Sequence, residues 1–207
     1  MVNAMSATHD AVVANDSFIA AMRARLARIS AGTTATRGNG PGVCYAARTH
    51  LKDIDLTHFV VGSRKLFGKR LTQATENLRL SLPKKAQTFG LARKLLNIYL
   101  REATYNHHLR TRYGLDAIEP WLEVPLDKWT GKELQKEFGA PQWTKIRDLS
   151  PETSKEYQQI ATREAEKRAL GLPPVHLDVF YWGNRPDPPP KRKRNNSKGR
   201  VDLARNR

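Results

Sequence analysis

The 207-residue sequence predicts an all-α protein built as a helical bundle. Three observations favour this class. Apolar residues recur at helical spacing in several segments, and no stretch of any length alternates apolar and polar residues as a half-buried strand does. Serine, aspartate, proline and glycine stand where helices begin and end. No internal repeat is present.

The first segments combine one clear helix with two uncertain regions. Residues 1–16 are small and polar, and we predict a flexible N-terminus there. Residues 17–30 read as a helix with Ser17 as its cap. A glycine-rich loop, GTTATRGNGPG, follows, and residues 43–52 fit either a short helix or a strand. The expected apolar stripe of the first helix is Phe18, Met22, Leu26 and Ile29.

The middle of the chain holds the most apolar segment. Residues 53–62 predict a short helix or turn, and residues 63–80 predict a helix that ends before Pro83. Residues 90–105 are apolar almost all round, which is typical of a buried central helix. The expected inward face of helix 63–80 is Leu66, Phe67, Leu71, Ala74 and Leu78.

The last third carries clear start and stop signals. After a long connection at 106–125, Asp127 is placed to open a helix, and Ser150 with Pro151 starts a helix over 151–170. A short aromatic helix is expected at 175–182. We therefore predict one helical domain at 17–185, followed by a disordered tail at 186–207 that is first proline-rich and then basic.

The charge, the cysteine count and the lack of long apolar runs limit the classes of function that the chain can have. The chain has 36 Lys and Arg against 20 Asp and Glu, a formal net charge of +16, which favours a nucleic-acid partner. The single cysteine, Cys44, excludes a disulfide framework or cysteine-rich zinc site within one chain. No apolar run is long enough for a membrane span and the N-terminus lacks a secretory pattern. We expect a cytoplasmic, nucleoid-associated monomer that needs no metal or cofactor.

Lys94 lies inside the apolar segment 90–105, between leucines. If the amine is withdrawn from water, its pKa falls and the neutral form becomes a nucleophile suited to attack on a sugar C1′. The alternative is a lysine that extends along the helix surface to solvent, the commoner case.

Asp127 follows the run Val124-Pro125-Leu126 at a predicted helix start. As a cap it would accept backbone N–H groups. As a functional carboxylate in a cleft, it would stabilise positive charge on a sugar or activate a nucleophile.

The two contexts together resemble the helix-hairpin-helix DNA glycosylases, in particular the 8-oxoguanine glycosylase branch. The matching residues are GLARK at 90–94 leading into an apolar helix, and VPLD at 124–127. The resemblance covers residues 63–135, and 151–182 loosely. The hairpin LPKKAQTFG keeps Gly90 but lacks the Gly-x-Gly of the family, the connection to Asp127 is longer, and no iron–sulfur cysteine set is present.

The resemblance implies a glycosylase that flips a damaged or modified base out of duplex DNA and excises it. Lys94 would be the Schiff-base nucleophile of a glycosylase with lyase activity, and Asp127 would be the carboxylate that assists departure of the base. If Lys94 is structural, Asp127 would activate water instead. Both 8-oxoguanine in the host genome and a hypermodified base in phage DNA stay open as substrates, which leaves both repair and antiphage defence open. The alternative function is a non-catalytic DNA-binding or architectural protein.

Two further groups complete the expected site. Basic residues around the hairpin are candidates for gripping DNA phosphates, and aromatic and polar residues are candidates for the pocket of a flipped base. The expected DNA contacts are Lys69, Arg70, Lys84, Lys85, Gly90 and Arg93. The expected pocket residues are Trp129, His176, Asp178 and Trp182.

Overall fold

The structure is a computed structural model that describes residues 2–139, 145–168 and 171–185. In these ranges all regular structure is helical, which confirms the all-α class. No described helix carries an apolar stretch of the length that a bilayer span requires. The predicted tail at 186–207 lies outside the described residues. The helices are α1 (Val2–Ser30), α2 (Val43–Asp53), α3 (Arg64–Ser81), α4 (Phe89–Tyr105), α5 (His107–Tyr113), α6 (Lys128–Phe138), α7 (Pro151–Lys167) and α8 (Leu177–Gly183).

Helix α1 differs from the prediction at its start and in its buried face. The flexible segment predicted at 1–16 is instead helical from Val2, so Ser17 lies inside α1 and does not cap it. Phe18 and Ile29, expected to be buried, are 43% and 52% exposed. The inward face is turned by about one position relative to the prediction, and it packs against α2 and α4. The buried residues of this face are Ile19, Leu26, Ala27 and Ser30.

Helix α4 is the central element, as predicted. It packs against α1, α3 and α5. These three helices cover its apolar side chains, which are therefore buried. The buried residues include Leu91, Leu95, Leu96, Tyr99, Leu100 and Ala103.

The connection predicted at 106–125 is more ordered than its sequence suggested. It contains α5 and two 3-10 turns, at Leu115–Ala117 and Glu119–Trp121. Asn106 caps α5, since its side chain accepts the N–H of Leu109 at 3.0 Å. An Asn cap before two histidines is a weak sequence signal, and α5 is too short to show apolar periodicity.

The apolar interior forms two clusters. The first core is built by α1 to α5 and includes Leu51, Phe59, Phe67, Leu71, Leu95 and Tyr99. The second core lies among α6, α7, α8 and the segment before α6. Its members are Val124, Leu126, Leu134, Leu149, Tyr157, Ile160, Ala161, Ala165, Leu177 and Tyr181. The predicted start of α7 is confirmed, because the Ser150 hydroxyl accepts the Thr153 N–H at 3.1 Å.

Gly90 fixes the contact between α4 and the 3-10 turn Ile146–Asp148. A Cβ at this position would lie 2.0 Å from the Ile146 carbonyl oxygen and 2.8 Å from Leu149 Cβ. The close approach that Gly90 permits is therefore to protein backbone, and the expected contact of Gly90 with a DNA phosphate stays a prediction.

We expect Gly90→Ala to lower the free energy of unfolding by about 1–3 kcal/mol, because the added methyl group must displace the backbone of the 146–149 turn. Gly68→Ala is the matched control: it is also a helical glycine, but its Cβ would meet nothing within 4 Å. Relief of the glycine penalty should make that variant more stable by up to about 1 kcal/mol. Urea denaturation followed by circular dichroism measures both, and equal stability of the two variants would contradict the close contact.

Candidate active site

Lys94 and Asp127 line one cavity, although a helix and a long connection separate them in the chain. This cavity, called here the α4–α8 cavity, has a volume of about 640 Å³. Its walls come from the end of α1, the glycine-rich loop, α4, the segment before α6, and α8. It thus lies between the helices of the first core and those of the second.

Lys94 is partly buried on the second turn of α4. Its Nζ donates a hydrogen bond to the carbonyl oxygen of Ala35, in the glycine-rich loop, at 3.2 Å. Burial lowers the pKa of the Lys94 amine, and the nearby Asp127 carboxylate partly opposes this by raising it. Within the described residues Lys94 forms no ion pair. The amine is therefore held in place by a neutral carbonyl group and shifted toward its nucleophilic form.

Asp127 caps α6, as predicted. Its Oδ1 accepts the N–H groups of Trp129 and Thr130, each at 2.9 Å. Val124 and Leu126, buried in the second core, fix the segment that carries it. Because Oδ1 takes both cap bonds, Oδ2 has no hydrogen-bond partner in the described part of the chain. One carboxylate oxygen thus caps the helix, while the residue as a whole lines the cavity.

Asp178 lines the α4–α8 cavity, but its carboxylate is already engaged. It is buried, at 5% exposure. One oxygen accepts the Thr130 hydroxyl at 2.9 Å and the other pairs with Arg101. The Asp178 carboxylate therefore holds α8 against α4 and α6, and its expected place in the pocket for a flipped base stays a prediction. Trp182 lines the cavity with an exposed ring, as expected of a pocket residue.

Trp129 and His176, the other two predicted pocket residues, do not line this cavity. The Trp129 indole donates to the Tyr181 carbonyl at 2.7 Å and packs on the second core. His176 stacks on Tyr105, bonds to its hydroxyl at 2.7 Å, and approaches Glu119 at 3.2 Å. Tyr105 itself lines the cavity. Tyr105, which the sequence analysis did not single out, therefore contributes an aromatic wall of this cavity.

The predicted DNA contacts divide into buried and exposed groups. Arg93 is ion-paired with Glu123 at 2.9 Å and donates to the Thr75 hydroxyl at 2.7 Å, so the structure gives it protein partners, and its contact with DNA stays a prediction. Four side chains are exposed, but they lie apart from the α4–α8 cavity. Of these, Lys69 and Arg70 line a separate cavity of about 1010 Å³ between α2 and α3. Lys84 and Lys85 occupy the 3-10 turn between α3 and α4.

Four basic residues beside Lys94 were missed. They line a second, smaller cavity of about 340 Å³, called here the loop cavity. The glycine-rich loop at 32–42 was the available signal, because such loops bring backbone close to ligands. The four residues are Arg37, Lys128, Lys145 and Arg147.

Burial of the Lys94 amine lowers the free energy of unfolding of the wild-type protein, and a substitution can measure this effect. We expect Lys94→Met to raise the free energy of unfolding at neutral pH by roughly 0.5–2 kcal/mol, the range that single stabilising substitutions commonly give. The pKa of Lys94 is below its ordinary value of 10.5 in the folded state. The unfolded chain therefore binds more protons between those two values, and wild-type stability rises with pH across that window. The advantage of Lys94→Met should shrink as pH approaches 10.5, which thermal denaturation at several pH values measures. A wild-type protein that is more stable than this variant at neutral pH would contradict the cost.

Comparisons with protein-family models, with curated proteins and with solved structures found no match for this chain. A function is therefore inferred from the residues that the fold brings together.

Proposed function

We propose that this protein is a DNA glycosylase of the helix-hairpin-helix type, which extrudes a damaged or modified base from duplex DNA and excises it. One observation carries the proposal: a partly buried lysine amine with a lowered pKa and a capping carboxylate line the same cavity. An amine and a carboxylate on opposite sides of a sugar are the two groups that base excision with Schiff-base formation requires.

Lys94 supplies the nucleophile. Its nitrogen lone pair forms a bond to C1′ of the extruded nucleotide as the C1′–N glycosidic bond breaks. The base leaves with the electron pair of the broken bond and takes up a proton from solvent. The amine then gives up one proton and O4′ gains one as the sugar ring opens, leaving a protonated imine between Lys94 and C1′. Loss of a C2′ proton and departure of the 3′ phosphate complete β-elimination.

Asp127 acts on the charge that develops as the base departs. Its Oδ1 is committed to the α6 cap, which holds Oδ2 in a fixed position. A fixed carboxylate stabilises positive charge on the sugar without reorganisation during the reaction. Should Lys94 only position the substrate, the same carboxylate would activate a water molecule, and the enzyme would release base without forming an imine.

The α4–α8 cavity suits an extruded nucleotide. Its volume of about 640 Å³ lies within the range of about 300–1,000 Å³ that ligand pockets occupy. Tyr105 and Trp182 line it, and either ring offers a face on which a base can stack. Both 8-oxoguanine and a hypermodified phage base remain substrates to be tested.

The approach to DNA is also part of the proposal. Helices α3 and α4 pack together and are joined by a short connection, 82–88, that exposes Lys84 and Lys85. This arrangement fits a helix-hairpin-helix unit that contacts the duplex backbone. The net charge of +16 supports a polyanionic partner.

The test is a panel of duplex oligonucleotides, each carrying one damaged or phage-type modified base, with the released base identified by mass. We expect release from at least one duplex, and none from the same duplex when Asp127→Asn protein is used. Tight binding across the panel with no released base, and no adduct on abasic DNA after borohydride reduction, would replace the proposal with a non-catalytic DNA-binding protein.

A further inference from the structure

The loop cavity adjoins the α4–α8 cavity at the proposed reaction centre. Lys94 and Asp127 line both cavities, and so do Thr34 and Ala35 of the glycine-rich loop. The amine and the carboxylate therefore lie on the boundary between a pocket with aromatic walls and a second pocket that is lined by basic residues.

The character of the loop cavity is cationic. Besides Lys94, four basic residues line it, against the single carboxylate of Asp127. Arg37, Lys128 and Lys145 are exposed, and in the described part of the chain their side chains form no ion pair or hydrogen bond. Arg147 donates to the Gly38 carbonyl at 3.3 Å, which ties the 3-10 turn before α7 to the loop. Such a group of uncompensated cations is suited to an anionic ligand.

The loop that presents Arg37 is held at its start by two hydrogen bonds. The Arg48 guanidinium donates to the Ala31 carbonyl at 3.1 Å, and the Thr36 hydroxyl donates to the Gly32 carbonyl at 3.0 Å. Gly38 adopts φ of 78°, a left-handed conformation that glycine tolerates without strain. Arg37 is thus carried on a preformed turn, so the loop backbone requires little ordering when an anion binds.

We propose that the loop cavity binds the phosphodiester group next to the extruded nucleotide. This inference rests on the proposed function and orders the substrate across the site: the base enters the α4–α8 cavity, the sugar lies at Lys94 and Asp127, and the phosphate lies among Arg37, Lys128 and Lys145. Arginine and lysine are the side chains that neutralise DNA phosphates, and the phosphate is the anionic part of the nucleotide. In this arrangement the phosphate is bound by the glycine-rich loop, the start of α6 and the segment before α7. Arg93 and Gly90 do not contact it.

The test compares two double variants that each remove two positive charges. Arg37→Gln/Lys145→Gln alters the loop cavity. Lys52→Gln/Lys155→Gln is the matched control, because both lysines are exposed and neither lines the loop cavity or the α4–α8 cavity. Binding is measured on a duplex with a central tetrahydrofuran abasic-site analogue over a range of salt concentrations. Each lost phosphate contact reduces the magnitude of the negative slope of log K against log salt by about 0.9.

We expect the loop-cavity variant to lose about 0.9 from the magnitude of the salt slope, because the cavity holds one phosphate, and to bind on the order of ten-fold more weakly at 0.1 M salt, while the control binds like wild type. Equal binding by the two variants would overturn the phosphate site. Borohydride trapping by the wild-type protein separates this result from the proposed function. If wild type traps abasic DNA and the variants bind equally, only the phosphate site is wrong. If wild type neither traps nor releases base while the loop-cavity variant binds weakly, the site stands and the glycosylase proposal fails.

Discussion

Lys94→Gln protein is expected to form no covalent adduct with abasic-site DNA after borohydride reduction, whereas wild type forms one. Reduction captures the imine between an amine and C1′, and glutamine has no nucleophilic nitrogen. Glutamine retains an N–H donor for the Ala35 carbonyl, which the Lys94 amine contacts at 3.2 Å. The variant should therefore fold, and bind the tetrahydrofuran duplex, as wild type does. Gel separation of the reduced complexes measures the loss.

The control for this experiment is Lys132→Gln, an exposed lysine on α6 that lines neither cavity. It removes the same charge and should leave the adduct intact. An adduct of wild-type yield in Lys94→Gln protein would show that another amine performs the attack, and Lys94 would then be a structural residue.

Asp127→Asn is expected to lower the rate of base release by about 10²–10⁴-fold, the range that a positioned acid–base group contributes. Asparagine caps helices as well as aspartate does, so this variant removes the charge and keeps the bonds to Trp129 and Thr130. Asp127→Ala removes both, and should also lose about 1 kcal/mol of stability. Single-turnover base release and urea denaturation, measured on both variants, separate catalysis from capping.

A second readout of Asp127→Asn uses abasic DNA, which needs no base departure. The Asp127 carboxylate raises the pKa of Lys94 against the effect of burial. Without that carboxylate the pKa should fall further, so trapping should reach half its maximum at a lower pH than in wild type. Base release at the wild-type rate by Asp127→Asn would reduce Asp127 to a helix cap.

The local signals in the sequence were reliable where a single element decides the outcome. Ser150 and Asp127 cap α7 and α6 as predicted, and α4 is the buried central helix. Each of these depends on the residue type at a helix start or on apolar content along one helix, which the sequence shows directly.

Tertiary packing decided what the sequence left open. Arg93 and Lys94 are adjacent cations in one apolar helix, yet about 100° of helical rotation sends the first to Glu123 and the second to the cavity. The buried stripe of α1 likewise differs from the prediction: periodicity of large apolar residues favours Ile29, whereas the structure buries Ala27 and exposes Ile29. The cations of the loop cavity come from three distant segments, and no spacing in the sequence links them.

The most direct test of the central claim maps the reduced adduct to a residue. Wild-type protein is trapped on abasic-site DNA with borohydride, digested with protease and nuclease, and sequenced by mass spectrometry. We expect the sugar remnant on Lys94 alone, because its amine has the lowered pKa and shares the cavity with Asp127. A remnant on Lys128 or Lys145, the exposed amines of the neighbouring loop cavity, would contradict the assignment of Lys94 as the nucleophile.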